Sequence, residues 1–399
     1  MRIRLAALFF VTLTAVLSGH TLAADWQQIQ QQARGQTVYF NAWGGSETIN
    51  DYIRWAGKEV NQRYGIKLEQ VKINDAADVV SRILAEKTAG RTTDGTVDLI
   101  WINGENFRAM KANSLLYGPF TQDLPNYALV DTEHKITTLY DFTTPVDNLE
   151  APWGMAQLVF MYDSARISQP PRSMTELLAF ARQHPGRMTY PAPPAFHGTT
   201  FLKQALYELA QDPKVLSKPV SEVDFDQVTK PLWDFLDQLH PLMWRQGKTF
   251  TSGSAEMQQL LNDGEIDISL SFNPNDASNA INSGELPDSI RSYVHRSGTI
   301  ANTHFVAIPF NASAKAAAMV VADFLMSPQA QAHKADTQVW GDPTVLSMDK
   351  LSSADKALFD ALPAGKAALS AQDLANVIPE PHVSWVEPLE QAWQQRYAH

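Results

Sequence analysis

An α/β fold built on a parallel sheet is what this chain of 399 residues predicts, and three observations predict it. Short, strongly apolar runs alternate with longer runs whose apolar residues recur at helical spacing. Strand, helix, strand, helix, strand in that order is the pattern of a parallel sheet with crossover helices. Capping and turn residues stand at the junctions, as Gly44-Gly45-Ser46, Asp75 and Asn103-Gly104 do.

The elements follow in order. Thr37–Ala42 reads as a buried strand. The helix after it carries Ile49, Tyr52, Ile53, Ala56 and Val60 on one face, with Ser46 as its N-cap and Glu47 in the first turn. Ile66–Ile73 alternates as a second strand. Asp75 caps the next helix, whose stripe is Val79, Val80, Ile83 and Leu84. Val97–Ile102 is a third strand, leading through Asn103-Gly104-Glu105 into a short helix with Phe107 and Met110. Leu116–Asp147, rich in Thr, Asp, Tyr and Pro, reads as an irregular crossing region.

A strand then opens at Ala151 and runs through Leu158–Tyr162. Ser173-Met174-Thr175-Glu176 has the form of a capping box, with Met174, Leu177, Leu178 and Ala181 as the helix face behind it. Arg187–Tyr190 reads as a strand before the Pro191–Pro194 turn. Helices are expected over 199–210, 226–239 and 255–261. Ile266–Phe272 alternates as a strand and Thr303–Pro309 reads as another. An Ala-rich helix ends at Leu325, and Ser327-Pro328 starts the next with Pro in the first helical position. The tail beyond Val345 reads as helical with loops.

The first residues point to export. Arg2 and Arg4 precede the apolar run Leu5–Leu17, and Ser18–Ala23 ends in small residues, the layout of a secretory signal peptide. The apolar core is shorter than the roughly 18–20 residues that span a bilayer. Cleavage after Ala23 leaves about 375 residues, long enough for two domains. It also removes two arginines, taking the formal charge from −11 to −13. An acidic exported chain repels phosphates and is no nucleic-acid binder. Without cysteine there is neither a lipid-anchored amino terminus nor a thiolate metal site.

Signatures of enzymes are missing. G-x-S-x-G, H-E-x-x-H, the P-loop and the dinucleotide-binding glycine pattern do not occur. Gly44-Gly45-Ser46 is either an anion-holding turn or a tight passage from strand to helix. His295 and His304 have no ligand partner at helical spacing and read as surface or hydrogen-bonded residues, so no metal and no cofactor are expected.

Ligands of open α/β sheets sit beyond the carboxyl ends of strands. Trp43-Gly44-Gly45, Asn103-Gly104-Glu105, Tyr190 and Phe272-Asn273-Pro274-Asn275 stand at such ends. Three stretches carry a family resemblance: Val97–Trp101 followed by Asn103; Leu260–Ile268 around Gly264-Glu265; and Ala307-Ile308-Pro309-Phe310-Asn311-Ala312 with Phe324, Leu325, Ser327-Pro328 and Gln331. By these the mature chain resembles the extracellular solute-binding proteins of bacterial ABC importers.

The resemblance implies an α/β periplasmic-binding-protein architecture: two lobes, a hinge and an interlobe ligand cleft. The implied divisions are a signal peptide over 1–23, a first lobe over 24–150 with 301–399, and a second over 151–300. It also implies a periplasmic receptor, working as a monomer, that delivers a small solute to a membrane permease with a separate cytoplasmic ATPase. The adjacent tyrosine pair of the family's ferric-ion binders is missing, which argues against iron. The expected ligand contacts are Trp43, Gly44, Gly45, Asn103, Glu105, Trp153, Tyr190, His197, Asn273, Asn275 and Thr299. An aromatic-rich cleft with a carboxylate suits an organic cation or a heteroaromatic ring. The alternative is an exported hydrolase or lyase on the same scaffold, which product formation would reveal.

Overall fold

The computed structural model describes residues 26–398. The leader over 1–23 and its cleavage point lie outside the described residues. A helical run over 26–33 leads into β1 (Thr37–Trp43), followed by α1 (Glu47–Tyr64), β2 (Lys67–Ile73), α2 (Ala76–Thr88), β3 (Leu99–Ile102) and α3 (Gly104–Ala112). β1 pairs in parallel with β2 on one side and β3 on the other. The caps are those the sequence predicts: Ser46 accepts from Ile49 N and Asp75 from Ala77 N. The expected faces of α1 are buried, and Phe40, Tyr52, Trp153, Phe324 and Trp340 share one core beneath them. Val79, Ile83, Ile100, Phe107 and Met110 form a second layer on the other side of the sheet.

The irregular stretch over 116–147 contains 3₁₀ turns and a two-residue hairpin, β4 (Tyr140–Asp141) with β5 (Thr144–Pro145). β6 (Glu150–Gln157) then crosses out of the first sheet into β7 (Val159–Asp163). The return crossing is β10 (Thr299–Ala307), antiparallel to β6 and to β3. The first sheet is therefore mixed, with order β2-β1-β3-β10 and β6 on the far side of β10.

Between the crossings lie α4 (Met174–Gln183), α5 (Phe196–Leu209), α6 (Phe225–Leu239), α7 (Ser254–Asn262), β8 (Ile268–Ser271), α8 (Asp276–Ser283) and β9 (Ile290–Tyr293). Their apolar faces meet in a separate core around Phe160, Phe201, Leu236 and Leu270. The sheet here is β8-β7-β9 with antiparallel pairs throughout. The strand expected over 187–190 is reduced to one bridge between Met188 and Ile268. Only half of the expected capping box forms: Ser173 accepts from Glu176 N, while Glu176 accepts from Arg172 N and pairs with Arg296.

The chain returns through α9 (Lys315–Leu325) and α10 (Pro328–Ala335), both packed on the first core. Then come α11 (Ser353–Asp360), α12 (Ala371–Leu374), β11 (Val377–Pro379), which pairs with the start of β10, and α13 (Val386–Tyr397). The expectation put all of 301–399 with the first lobe. Ala367, Trp385, Leu389 and Trp393 pack in the second core instead, because α13 carries its apolar stripe onto α5. Among the described residues no helix is long and apolar enough to cross a membrane.

Candidate functional site

The carboxyl end of β3 and the β4–β5 hairpin beside it approach α5, where Lys203 Nζ lies 5.0 Å from the Phe142 centroid. Trp43 ends β1 with 41% of its surface exposed, so it is not a core tryptophan. Its indole lies on the following turn. A Cβ at Gly45 would meet the ring at 2.3 Å, and one at Gly44 would meet the Lys72 side chain at 2.6 Å. Gly44 N is bonded to Ile73 O at 3.0 Å. Packing thus accounts for both glycines, and the Gly44 N–H is not available to an anion.

At the end of β3, Asn103 is half-buried and its side chain makes no cap bond. The cap of α3 comes from the β4–β5 hairpin: Gly104 N donates to both carboxylate oxygens of Asp141 at 2.8 Å. Gly104 has φ +61°, and a Cβ there would press on the Phe142 ring at 2.9 Å. Only glycine satisfies both demands. Glu105 follows, solvent-exposed yet hemmed in by protein. Desolvation pushes its pKa up, Asp75 and Glu380 add to this, and Lys203 opposes it.

Across the gap, Phe196, Thr199 and Lys203 fall at positions i, i+3 and i+7 of α5 and share a face. Phe196 is exposed and meets Phe272 edge-on at 5.0 Å. Thr199 donates to Glu390 Oε1 at 2.6 Å. Burial raises the pKa of Glu390, and Glu105 raises it further. Lys203 is almost fully buried. Its Nζ donates to Glu380 Oε2 at 2.5 Å and lies 5.0 Å from the Phe142 centroid and 5.8 Å from that of Phe196. Asn302 Nδ2 holds the other oxygen of Glu380 at 3.1 Å. Burial also lifts the Asp141 carboxyl well above its usual range, with Glu105 and Glu380 contributing. Glu380 is paired with Lys203, and Glu105 and Glu390 lie close enough to feel its charge, so three acids share one ammonium.

The expected contacts divide accordingly. Trp43 is exposed at the end of β1, and Asn103 and Glu105 follow the end of β3. His197 sits half-buried in the first turn of α5, and burial pushes it down to about 4, so it is neutral at pH 7. Trp153 is a correction: it is fully buried among Phe40, Tyr52, Trp101 and Trp340 and touches no cleft. Tyr190 is another. It is fully buried, stacks on Phe201, and its hydroxyl is held at 2.7 Å by both His240 and Trp393. Thr299 is enclosed too, its hydroxyl accepting from Gln157 Nε2 at 3.1 Å, which ties the two crossing strands together. Asn273 and Asn275 are committed elsewhere: their amides donate to Trp340 O and Gly341 O at 3.1 and 2.7 Å, with Asn279 beside them on Trp340 O. They tether one lobe to the other.

Phe142, Lys203, Glu380 and Glu390 escape the sequence reading. The one local signal is Lys203 itself, a lysine inside the wholly buried stretch Gly198–Leu206 of α5. A cavity of about 580 Å³ opens away from this cluster, lined by Pro193, Lys248, Phe250, Trp393 and Tyr397. It lies within the second lobe and has no charged lining group but Lys248, so the interlobe cluster is the better candidate site.

Comparison with known proteins bears on the same region. Residues 55–360 match the sequence model of a family described as bacterial extracellular solute-binding protein. The chain is 47% identical over 386 residues to Protein YnjB of Escherichia coli K12, covering 96% of this chain and 97% of that one. Among solved structures, a putative spermidine/putrescine ABC transporter from Listeria monocytogenes superposes with TM-score 0.63 at 14% identity, over 90% of this chain and 98% of that one. The periplasmic binding protein AfuA from Actinobacillus pleuropneumoniae, with fructose-6-phosphate bound, gives 0.62 at 14%, over 91% and 99%. Similarity at this level concerns the fold alone.

Proposed function

This chain belongs to the bacterial extracellular solute-binding proteins, and from that premise we propose that its solute is a small organic cation held between the lobes. It is the receptor component of an ABC importer, and its working partner is a permease. The cytoplasmic ATPase behind that permease and a monomeric receptor complete our reading. The first lobe is taken as the residues up to 150 with 301–366, and the second as 151–300 with the tail.

One observation carries the choice of solute: Glu105, Glu380 and Glu390 converge on Lys203. An anion placed there would meet several carboxylates at short range. A cation flanked by Phe142 and Phe196 gains charge pairing and ring-face attraction together. The putative spermidine/putrescine transporter that shares the fold is consistent with this.

Titration calorimetry of the mature protein with putrescine, and with a sugar phosphate as control, tests the reading. The diamine is expected to bind with micromolar affinity, about 8 kcal/mol. Glu105→Gln with Glu390→Gln should weaken it by about 1–2 kcal/mol, since charge pairs at a partly exposed site are worth less than buried ones. Both acids have raised pKa values, and binding a cation requires them ionised. Affinity should therefore fall on acidification, beginning above the ordinary carboxylate range. Binding of the phosphate alone, or an unaffected double variant, would refute the proposal.

Trp43→Ala isolates the aromatic contribution. It should cost about 2 kcal/mol or more in affinity, as truncation of an aromatic anchor does. Thermal stability should barely move, because a ring this exposed leaves no core cavity. Lost stability with unchanged affinity would return Trp43 to a structural role.

A further inference from the structure

Lys203 is an odd residue to keep. Its ammonium is enclosed, has three protons to donate, and makes one hydrogen bond, to Glu380. Taking both charges out of water is costly, and a buried pair is weak evidence of stabilisation. The surroundings are those of an amine-recognition site: a carboxylate at 2.5 Å, two phenyl rings within 6 Å, and Asn302 orienting the carboxylate. The parts come from both lobes. Lys203 and Phe196 ride on α5 of the second, while Phe142 belongs to the hairpin that caps α3 of the first. Asn302, on the crossing strand β10, is buried and its Oδ1 has no partner, so the site keeps an unused acceptor.

We propose that Lys203 is the protein's own occupant of the amine site, its ammonium filling the place between Phe142, Phe196 and Glu380 that an amino group of the solute takes on binding. The inference rests on the cationic reading of the cleft. In the free receptor the ammonium, anchored on Glu380, holds the Phe142 hairpin that caps α3 against α5 through the ring face alone. Solute entry exchanges one ammonium for another, and Lys203 swings out. Anionic solutes cannot make that exchange, so the device selects by charge as well as by shape. The apparent affinity is reduced by the fraction of receptors that are self-occupied.

Two measurements on the full mature chain separate this inference from the cationic reading. The first needs no solute. Small-angle X-ray scattering compares the ligand-free wild type with Lys203→Met and with Lys203→Met/Glu380→Gln, the latter leaving no lone buried charge should the single variant fold poorly. Both variants should shift to larger radii of gyration. Radii unchanged in folded variants would overturn the proposal. The second is putrescine titration. If self-occupancy holds nine-tenths of the wild type, Lys203→Met should bind about tenfold more tightly. Equal or weaker binding to that variant would also overturn it. If putrescine binds no form, the cationic reading fails and the exchange fails with it, whereas unchanged radii in variants that still bind putrescine overturn the self-occupancy alone.

Discussion

Trp153→Ala is expected to destabilise the first lobe by about 3–5 kcal/mol, the range for a large buried aromatic. The ring is fully enclosed and meets Trp101 at 5.1 Å, Trp340 at 5.4 Å, Phe40 at 6.0 Å and Tyr52 at 6.2 Å between centroids. It also lies 5.6 Å from the buried ammonium of Lys334. Removing it opens a cavity and withdraws a ring face from a charge that has few other partners. The backbone carbonyl of Trp153, which accepts from Gln331 and Lys334, survives the change. Urea unfolding followed by tryptophan fluorescence measures the loss. Solute affinity per folded molecule should stay within about a factor of two, since a change of about 0.4 kcal/mol is all that a site remote from the ring can transmit through packing alone. A loss of affinity without loss of stability would restore Trp153 to the cleft.

That reversal shows where sequence reading reaches its limit. Trp43 and Trp153 look alike as sequence: each is an indole followed by glycine in an apolar stretch. What separates them is the path of the chain. β6 runs through the middle of the molecule with β10 beside it and α10 behind it, so its side chains are enclosed on both faces. β1 stops at the sheet margin, and its last residue is left in solvent. Helix stripes and caps were legible because they depend on residues three or four apart, as Ser46 and Asp75 show. The antiparallel second sheet was not, because β7, β8 and β9 are joined through helices and only long-range pairing sets their direction.

The site divides along the same line. Glu105 was legible because it follows a strand end, where ligands of such sheets sit. Glu380 and Glu390 were not, because they belong to a tail whose docking on α5 is decided by Trp385, Leu389 and Trp393. Asn273 was placed correctly at a strand end, but its amide is engaged with Trp340 O. Position in the chain locates such a residue, while the identity of its partner depends on the opposite lobe.

Asp342→Asn should be as damaging as the loss of Trp153. Lys334 Nζ is fully buried and lies 2.6 Å from Asp342 Oδ2, while His304 Nε2 stands 3.1 Å from Oδ1. Asparagine keeps the shape but removes the negative charge, leaving an ammonium uncompensated beside Trp153 and Trp340, at a cost of about 3–5 kcal/mol. The pH dependence identifies the cause. Burial already lowers the Lys334 pKa from its usual value, and Asp342 is what raises it again. Without Asp342 it drops further. Between that folded value and the unfolded one, about 10.4, the unfolded chain binds the extra proton, so stability rises with pH at up to about 1.4 kcal/mol per unit. The deficit of Asp342→Asn against wild type should therefore shrink as the pH rises from neutrality towards about 10. Lys334→Met added to Asp342→Asn should recover most of the loss at neutral pH, since replacing a buried pair by apolar groups is often neutral or better. Chemical denaturation of the three proteins at several pH values measures both effects. A deficit that stays constant with pH, or that the second substitution deepens, would mean that the loss comes from hydrogen bonds of Asp342 to its neighbours and not from a stranded charge on Lys334.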